Sequence, residues 1–389
     1  MIADVPVGKI VTPATLDEAA DAMRDAARRG ASVAFMGGGT ALGYGNAPEH
    51  VHELLKTERL NRIVEYTPAD LVVTVEAGVT LGALQRTLAA ENQRLALDPP
   101  QADVATLGGL LATNAYGPLR ARYGTLRDLI VGIEVIRADG MRARGGGKVV
   151  KNVAGFDLPK LMVGSLGTLA MIATATFRLH PAPERRQWFA VKTPSLDDVR
   201  VLVRAMLERR LEPSAVVTER DGDAYLSFVL FEGFGAGVDS QGASLRELGG
   251  SPSDADIGAR DSAARTFGNV RLKLATPRAF LPLLERNALA PLRAVFGDSR
   301  CVLYPTLGVA FIGGLPGDPD AFVTTCERVR ATLESGGGHL VVLECADPPI
   351  RQRLDPFGTP PDAFGIMRRL KERFDPERRL GRGRFVGGL

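Results

Sequence analysis

Residues 150–179, VKNVAGFDLPKLMVGSLGTLAMIATATFRL, constrain this chain more than any other stretch. They pack Asn152, Gly155, Asp157, Gly164, Ser165, Gly167 and Thr168 into a short span and then run into a β-branched strand. Glycines admit close backbone approach, and β-branched residues suit a pleated, buried strand. An ordinary core has no need of small hydroxyls at such a place, whereas a large anionic cofactor laid against a strand does. MGGGTALGYG at 36–45 and ATLGGLLATNAYG at 105–117 have the same character. The three stretches read together as one cofactor-binding domain.

At 389 residues the chain is expected to form two or three domains. An apolar content of 45% beside 24% charged residues places it among ordinary globular proteins. Net charge is +3, the small remainder of 48 basic and 45 acidic residues, and no basic block carries interleaved aromatics, so no nucleic-acid partner is expected. Cys301, Cys326 and Cys345 match neither zinc nor iron–sulfur ligand spacing and read as free thiols. No metal site is expected. MIADVPVGKIV lacks the basic and apolar regions of a signal peptide. No apolar run approaches the roughly 20 residues that cross a bilayer. The expected location is cytoplasmic, with membrane association only through a partner.

The first 180 residues alternate short helices and strands. Thr15 and Glu18 form a capping-box pattern for a helix to about Arg29, with Gly30 as its stop. Residues 32–36, 71–76, 129–136 and 169–177 read as strands, Asp139-Gly140 as a hairpin turn, and Thr80 as the cap of a helix with Leu81, Leu84 and Leu88 on one face. Composition changes at His180-Pro181-Ala182-Pro183, where two prolines stiffen the chain. The expected organisation is a domain over 1–182, a second over 183–345, and a C-terminal segment over 346–389. In the second, 188–192, 224–231, 302–313 and 339–344 read as strands, 196–210 as a helix and 236–260 as a surface excursion. Residues 363–374 read as a basic amphipathic helix. No internal repeat is visible in the sequence.

Gly37-Gly38-Gly39-Thr40 follows a strand, where converging backbone N–H groups and one hydroxyl can hold an anion. A plain tight turn has the same composition. Gly147-Lys148 is followed by Val149, which fails the Walker pattern, and Gly37, Gly39 and Gly43 miss the G-x-G-x-x-G spacing by one residue. In the second stretch Gly108, Gly109 and Ala112 would let a helix or turn pack flush against a flat ring or a diphosphate, with Thr106, Thr113 and Asn114 as polar contacts. A glycine-rich helix junction is the alternative.

GGGTALG, Glu76 to Thr80, ATLGGLLATNAYG, Tyr123-Gly124, GIEVIRADG and KNVAGFDLPKLMVGSLGTLAMIA occur in an order that resembles the FAD-linked oxidases with the vanillyl-alcohol-oxidase (PCMH) type of flavin domain. The tail from Phe374-Asp375-Pro376 to Gly383-Arg384 resembles the closing motif of the D-2-hydroxyacid dehydrogenase branch. The compact length is most similar to the FAD-binding subunits of bacterial glycolate oxidases. The resemblance implies an α+β fold: a two-subdomain flavin domain, a smaller α+β cap, and a tail returning to the flavin domain. It implies FAD gripped at its pyrophosphate by Gly37, Gly38, Gly39 and Thr40. It also implies Thr106, Gly108, Gly109, Thr113 and Asn114 along the diphosphate, ribityl and flavin, and Gly155, Asp157, Gly167 and Ile172 near the adenine and ribityl. Some relatives attach FAD through His or Cys; residues 53–179 hold neither, so FAD is expected to be non-covalent.

Catalytic relatives carry paired histidines in a G-H-x-x-D-G-N-x-H stretch that places a metal and the substrate carboxylate. This chain has only His50, His52, His180 and His339, and its tail has Gly381-Arg382 where Asn-Pro is usual. The catalytic residues are therefore left open. His339 is a candidate base, or a loop residue before a strand. Arg382 and Arg384 are a candidate carboxylate clamp, or a solvated tail. Lys148 and Lys151 can neutralise phosphate or stand in solvent. The resemblance implies hydride transfer from glycolate or a similar 2-hydroxyacid to flavin, with a histidine-rich sister flavin subunit and an iron–sulfur subunit as partners. A non-catalytic FAD-holding subunit and a self-sufficient oxidase reacting with oxygen are the alternatives.

Overall fold

A computed structural model describes residues 2–147 and 156–389. The chain begins with β1 (Val7–Val11), α1 (Leu16–Arg28), β2 (Val33–Met36) and β3 (Val51–Lys56), and the three strands form a parallel sheet in the order β1-β3-β2. Thr15 Oγ1 accepts from Glu18 N at 3.1 Å, while the Glu18 carboxylate reaches Ala14 N at 2.8 Å, one residue earlier than a reciprocal box requires. Gly30, at φ +62°, ends the turn that follows α1. Ala19, Ala20, Met23 and Ala26 form the buried face of that helix.

A second sheet is antiparallel, in the order β4-β5-β9-β7-β8. Its strands are β4 (Ile63–Thr67), β5 (Val72–Glu76), β7 (Ile130–Ile136), β8 (Arg142–Gly146) and β9 (Met171–Arg178), while β6 (Gln93–Arg94) pairs with β10 (His180–Pro181) apart from it. The run MIATATF takes the centre because it is buried on both faces, and only Arg178 at its end is less enclosed. Asp139-Gly140 makes the expected turn between β7 and β8, with Gly140 at φ +78°. Helix α2 (Leu81–Ala89) is capped by Thr80 and buries Leu81, Leu84 and Leu88.

From Arg185 onward the strands belong to a single eight-stranded antiparallel sheet, β14-β11-β13-β12-β16-β17-β15-β18. They are β11 (Arg185–Thr193), β12 (Ala215–Asp221), β13 (Ala224–Gly233), β14 (Ser251–Ser253), β15 (Val270–Ala275), β16 (Phe296–Tyr304), β17 (Val309–Pro316) and β18 (His339–Cys345). Each half runs β-α-β-β-α-β with the same internal strand order, and the halves meet at the Thr218↔Leu303 pair of β12 and β16. The sheet is thus a duplicated unit, although no repeat is visible in the sequence. Packing requires only that apolar faces recur, not that residues do.

Two sequence expectations are corrected here. Residues 236–260 are not a loose excursion. Gly235–Arg246 is a helix, β14 follows it, and a second helix, Ile257–Arg265, begins before the stretch ends. Weak apolar periodicity hid the first helix, which packs through Gly242, where an added Cβ would lie 2.3 Å from the Phe189 ring. Residues 302–313 are not one strand either. They span the hairpin between β16 and β17, whose turn ends at Gly308 with φ +66°.

The main core runs through both parts of the chain, joining Leu107, Leu111 and Phe177 to Phe228, Ile257, Tyr304 and Phe311. The tail closes over the parallel sheet: Val33 N donates to Arg379 O at 2.8 Å and Gly381 N to Val33 O at 3.0 Å. Lys371, in the helix Phe364–Phe374, is buried and donates to Thr168 O, Asp375 Oδ2 and Leu380 O at 2.7–2.8 Å. Among the described residues, no helix is long and apolar enough to cross a membrane, and no cluster of His, Cys, Asp and Glu could hold a metal ion.

Candidate functional site

A cleft opens between the first part of the chain and the eight-stranded sheet. One wall carries the loop after β2, the helix α3 (Leu107–Thr113) with the residues just beyond it, and Leu166-Gly167; the other carries Arg265, Arg271, Lys273, Phe311 and Leu343, with Arg384 from the tail.

The loop after β2 is glycine-rich because two backbones nearly touch there. A Cβ on Gly37 would stand 2.0 Å from Thr106 Oγ1, and one on Gly38 would stand 1.9 Å from Val104 O. Gly39 adopts φ +75°. Thr40 follows in the lining. Arg384 fixes the far side of this loop, donating to the carbonyls of Ala41, Leu42 and Tyr44 at 3.3, 2.6 and 2.9 Å. Burial brings its guanidinium down to about 10, against a smaller opposing effect of Glu344. Arg384 is therefore not a solvated tail residue: through its Nη2 it holds the loop. Arg382 instead pairs with Glu49 at 2.7 Å on the half-exposed surface.

Thr106 caps α3, accepting from Gly109 N at 3.3 Å. Gly108 turns away from the cleft, donating from its N to Ala77 O at 2.8 Å, and an added Cβ would lie 2.7 Å from that of Ala77. Its role is to seat the helix against the end of β5, not to line the cleft. Gly109 lines the cleft, as does Thr113, whose Oγ1 donates to Gly109 O at 2.9 Å and keeps its lone pairs for an incoming donor. Asn114 ends the helix at φ +50° and also lines the cleft, and its Oδ1 is buried with no hydrogen-bond partner. A buried orphan acceptor calls for a ligand or an ordered water.

Among the described residues, the third stretch reaches the cleft through Leu166 and Gly167. Leu166 N donates to Ala112 O and Gly164 N to Leu111 O, both at 2.8 Å, which stitches this segment to α3. Gly167, at φ +71°, lies under the Phe35 ring. Asp157 is an exposed N-cap of the helix Leu158–Met162, paired with Lys160 at 2.8 Å, which holds its carboxyl below the usual range. Ile172 is buried in β9. Neither lines the cleft, since strand burial and helix capping account for both. Gly155, with Lys148, Lys151 and Asn152, lies outside the described residues.

The opposite wall was not singled out in the sequence. On β15, Leu272 and Leu274 are buried beneath helices while Arg271 and Lys273 point at the cleft, the period of two expected of a strand. Arg271 pairs with Glu344 at 2.9 Å. The Arg265 side chain is only 8% exposed; it donates to Tyr116 O at 2.6 Å and Tyr304 OH at 3.0 Å, approaches Asp261 at 3.5 Å, and lies 4.0 Å from the Phe311 ring centre. Tyr304 OH donates to Asp261 at 2.6 Å. Burial, with the charges of Arg120 and Arg265, draws Lys273 down to about 8. Alternation in VRLKLA could have marked Arg271 and Lys273, but only once β15 was known to face a cleft.

None of the four histidines lines the cleft. His52 Nδ1 lies 2.7 Å from Ser32 Oγ, and His180 stacks edge-on against Tyr123. His339 begins β18 with an exposed side chain and is not placed to serve the cleft as a base.

Residues 8–146 match the family model described as FAD binding domain. The D-lactate dehydrogenase of Archaeoglobus fulgidus is 36% identical over 208 residues, 52% of this chain and 46% of that protein. The glycolate oxidase subunit GlcE of Escherichia coli is 39% identical over 122 residues, covering 31% and 35%. The D-2-hydroxyglutarate dehydrogenase of Xanthomonas citri pv. viticola is 26% identical over 364 residues, covering 83% and 77%. The chain spans about half the length, or less, of the first curated relatives it matches. Among solved structures, alkyldihydroxyacetonephosphate synthase superposes with a TM-score of 0.72 at 16% identity, over 96% of this chain and 76% of that one, which shows a shared fold. The fold is α+β with a PCMH-type FAD-binding part.

The residues present fit FAD. The glycine-lined loop admits a close backbone approach, Asn114 Oδ1 offers an unpaired acceptor, and the facing wall supplies cations and the Phe311 ring.

Proposed function

We propose, starting from a chain that carries a FAD binding domain over residues 8–146, that it is the FAD-binding subunit of a 2-hydroxyacid oxidase or dehydrogenase complex, with glycolate as its substrate. The observation that carries this reading is Asn114 Oδ1, a buried acceptor without a partner, facing a glycine-lined cleft in that domain. The names of the relatives, which include D-lactate dehydrogenase and the glycolate oxidase subunits GlcD and GlcE, supply the substrate class.

In the cleft, Gly37, Gly38, Gly39 and Thr40 would hold the pyrophosphate, and Thr106, Gly109, Thr113, Asn114 and Gly167 would border the rest of the cofactor. Gly108 would act behind them by seating α3. Hydrogen bonds to charged groups contribute about 1.5–3 kcal/mol each, so a few such donors suffice to retain a diphosphate. When bound, FAD supplies the hydride-accepting chemistry, while the protein supplies orientation and electrostatics. Among the described residues no His or Cys lines the cleft, and the FAD would be held non-covalently. Electrons would pass to an iron–sulfur partner, in a cytoplasmic complex with a sister flavin subunit that carries the histidine-rich site.

A second reading, an FAD-holding subunit without substrate turnover, is favoured by the placement of His50, His52, His180 and His339 away from the cleft. One experiment separates them. Glycolate is added anaerobically to the FAD-loaded chain, alone and with its sister subunit, and flavin absorbance is followed. Bleaching of this chain's flavin by glycolate supports the first reading. Flavin that stays oxidised in both mixtures supports the second. Bleaching by the chain alone, with peroxide formed in air, supports a self-sufficient oxidase.

A further inference from the structure

We propose that a second cavity, behind the glycine loop, binds a small uncharged molecule with an apolar body and one hydrogen-bonding end, and that its occupancy tightens FAD binding in the cleft. The coupling rests on the FAD-subunit reading; the cavity stands independently of it.

The loop after β2 is a partition with a space on either side. Ala41, Leu42 and Tyr44 line the cleft, whereas Gly43, Gly45, Asn46 and Ala47 line a separate cavity of about 240 Å³. β18 divides its side chains in the same way, Leu343 toward the cleft and Val342 toward the cavity, as the period of two in a strand requires. The two spaces share no lining residue. The partition is one backbone thick at its glycines. A Cβ on Gly43 would lie 1.7 Å from Glu344 Oε1, and one on Gly45, at φ +93°, would lie 2.6 Å from Arg384 O. Whatever fills the cavity therefore bears on the loop that would hold the pyrophosphate.

The lining sets the ligand's chemistry. Val5, Ala47, Val342, Pro348, Leu354 and Pro356 make it mostly apolar, and its charges cancel. Arg351 Nε donates to Cys345 O at 2.6 Å, and its Nη1 pairs with Asp4. Burial raises the Cys345 thiol, which stays protonated and donates to Asp347 O at 3.4 Å. An ion would have to break the Arg351–Asp4 pair to gain a counter-charge, so a neutral ligand is favoured. Hydrogen-bonding capacity remains at two places. The Gln352 side-chain amide has no partner among the described residues, and Asn46 uses only Nδ2, on Phe385 O at 3.1 Å. An apolar cavity of about 150 Å³ binds benzene, so this larger one has room for a ring with a polar substituent.

One wall of the cavity is held in a strained backbone conformation. Ala3 and Asp4 lie at φ +47° and +68°, in a turn closed by Ile2 N to Val5 O at 3.0 Å and Val5 N to Ile2 O at 2.9 Å. Neither residue is glycine, so contacts outside the turn must hold it. Ile2 is fully buried with Ala34, Val51 and Leu54, and Asp4 is tied to Arg351. The turn thus clips the parallel sheet to the helix Pro348–Arg351 across the cavity, and strain of this kind gathers at ligand clamps. A ligand held there backs the loop, FAD orders the same loop from the cleft, and each finds it already ordered by the other. Such coupling is reciprocal.

The test uses the full chain and benzamide, a neutral ring whose amide both donates and accepts. Benzamide affinity is measured by calorimetry on the FAD-free and the FAD-loaded chain, and FAD affinity by fluorescence with and without saturating benzamide. The expected result is a single benzamide site, about fivefold or more tighter when FAD is present, with FAD tightened by the same factor. Ala47→Trp fills the cavity from an exposed position and should abolish benzamide binding. Asp4→Ala unties the turn and should weaken it about tenfold. A cooperative melt checks that each variant is folded. No benzamide binding by the wild-type chain, unchanged affinity in a folded Ala47→Trp chain, equal affinity with and without FAD, or competition between benzamide and FAD would overturn the proposal and leave the FAD-subunit reading standing. A wild-type chain that binds benzamide but takes up no FAD would sink that reading, and the coupling with it.

Discussion

Thr106 Oγ1 occupies the point 2.0 Å from where a Cβ on Gly37 would lie, so the loop after β2 and the cap of α3 can meet only because residue 37 has no side chain. Gly37→Ala must push the two segments apart. Overpacking of this kind costs about 1–3 kcal/mol. The expected outcome is lower thermal stability of the apo chain together with loss of most bound FAD, read by differential scanning calorimetry and by flavin absorbance after gel filtration. Gly109→Ala makes the contrast, because its added Cβ meets only Thr106 Oγ1, at 3.3 Å, and should spare stability while still intruding on the cleft.

Arg384 joins the tail to the glycine loop through three carbonyls. Arg384→Met keeps the length and apolar stem but removes the donors. The loop carbonyls then lose charge-assisted partners worth about 1.5–3 kcal/mol each. FAD affinity should fall roughly ten- to a hundredfold in fluorescence titrations.

The buried Lys371–Asp375 pair locks the returning tail. Asp375 is fully enclosed and accepts from Lys371 Nζ and Leu380 N at 2.7 Å and from Arg379 N at 3.0 Å. Asp375→Ala leaves the ammonium buried without its counter-charge, and breaking such a pair costs about 3–5 kcal/mol. Urea unfolding should show a loss of this size.

Asp98, enclosed though not sealed from solvent, has its carboxyl raised to about 7 by burial and by the neighbouring charge of Asp261. Its folded value thus lies above its unfolded value. Between the two, the folded state holds a proton that the unfolded state releases, so this group's contribution to stability falls as pH rises from about 4 to about 7. Asp98→Asn keeps an acceptor for Leu119 N and removes the charge. The variant should gain stability at pH 8 relative to the wild type and differ little near pH 4, read as the melting temperature across pH.

The glycine-lined wall of the cleft was legible in the sequence, and the facing wall on the sheet was not. Gly37, Gly39 and Gly167 stand out because glycine is needed for close approach or positive φ, a constraint written at single positions. Gly108 and Gly109 look alike as letters, yet one packs on Ala77 and the other faces the cleft, a difference set by helix rotation. Asp157 and Ile172 carried the right composition but serve a helix cap and a strand core. Arg265, Lys273 and Arg384 acquire meaning only when β15, the helix before it and the tail converge across long sequence separations. The duplicated sheet was hidden for a related reason, because its two halves share a strand order and not a residue pattern.

The most direct measurement is the visible spectrum of the purified full chain after incubation with FAD and gel filtration, set beside that of Gly37→Val. The expected result is stoichiometric flavin on the wild-type chain, with bands perturbed from those of free FAD, and little or none on the variant. A wild-type chain that emerges without flavin, or a Gly37→Val chain that retains it fully, would contradict the placement of FAD in this cleft.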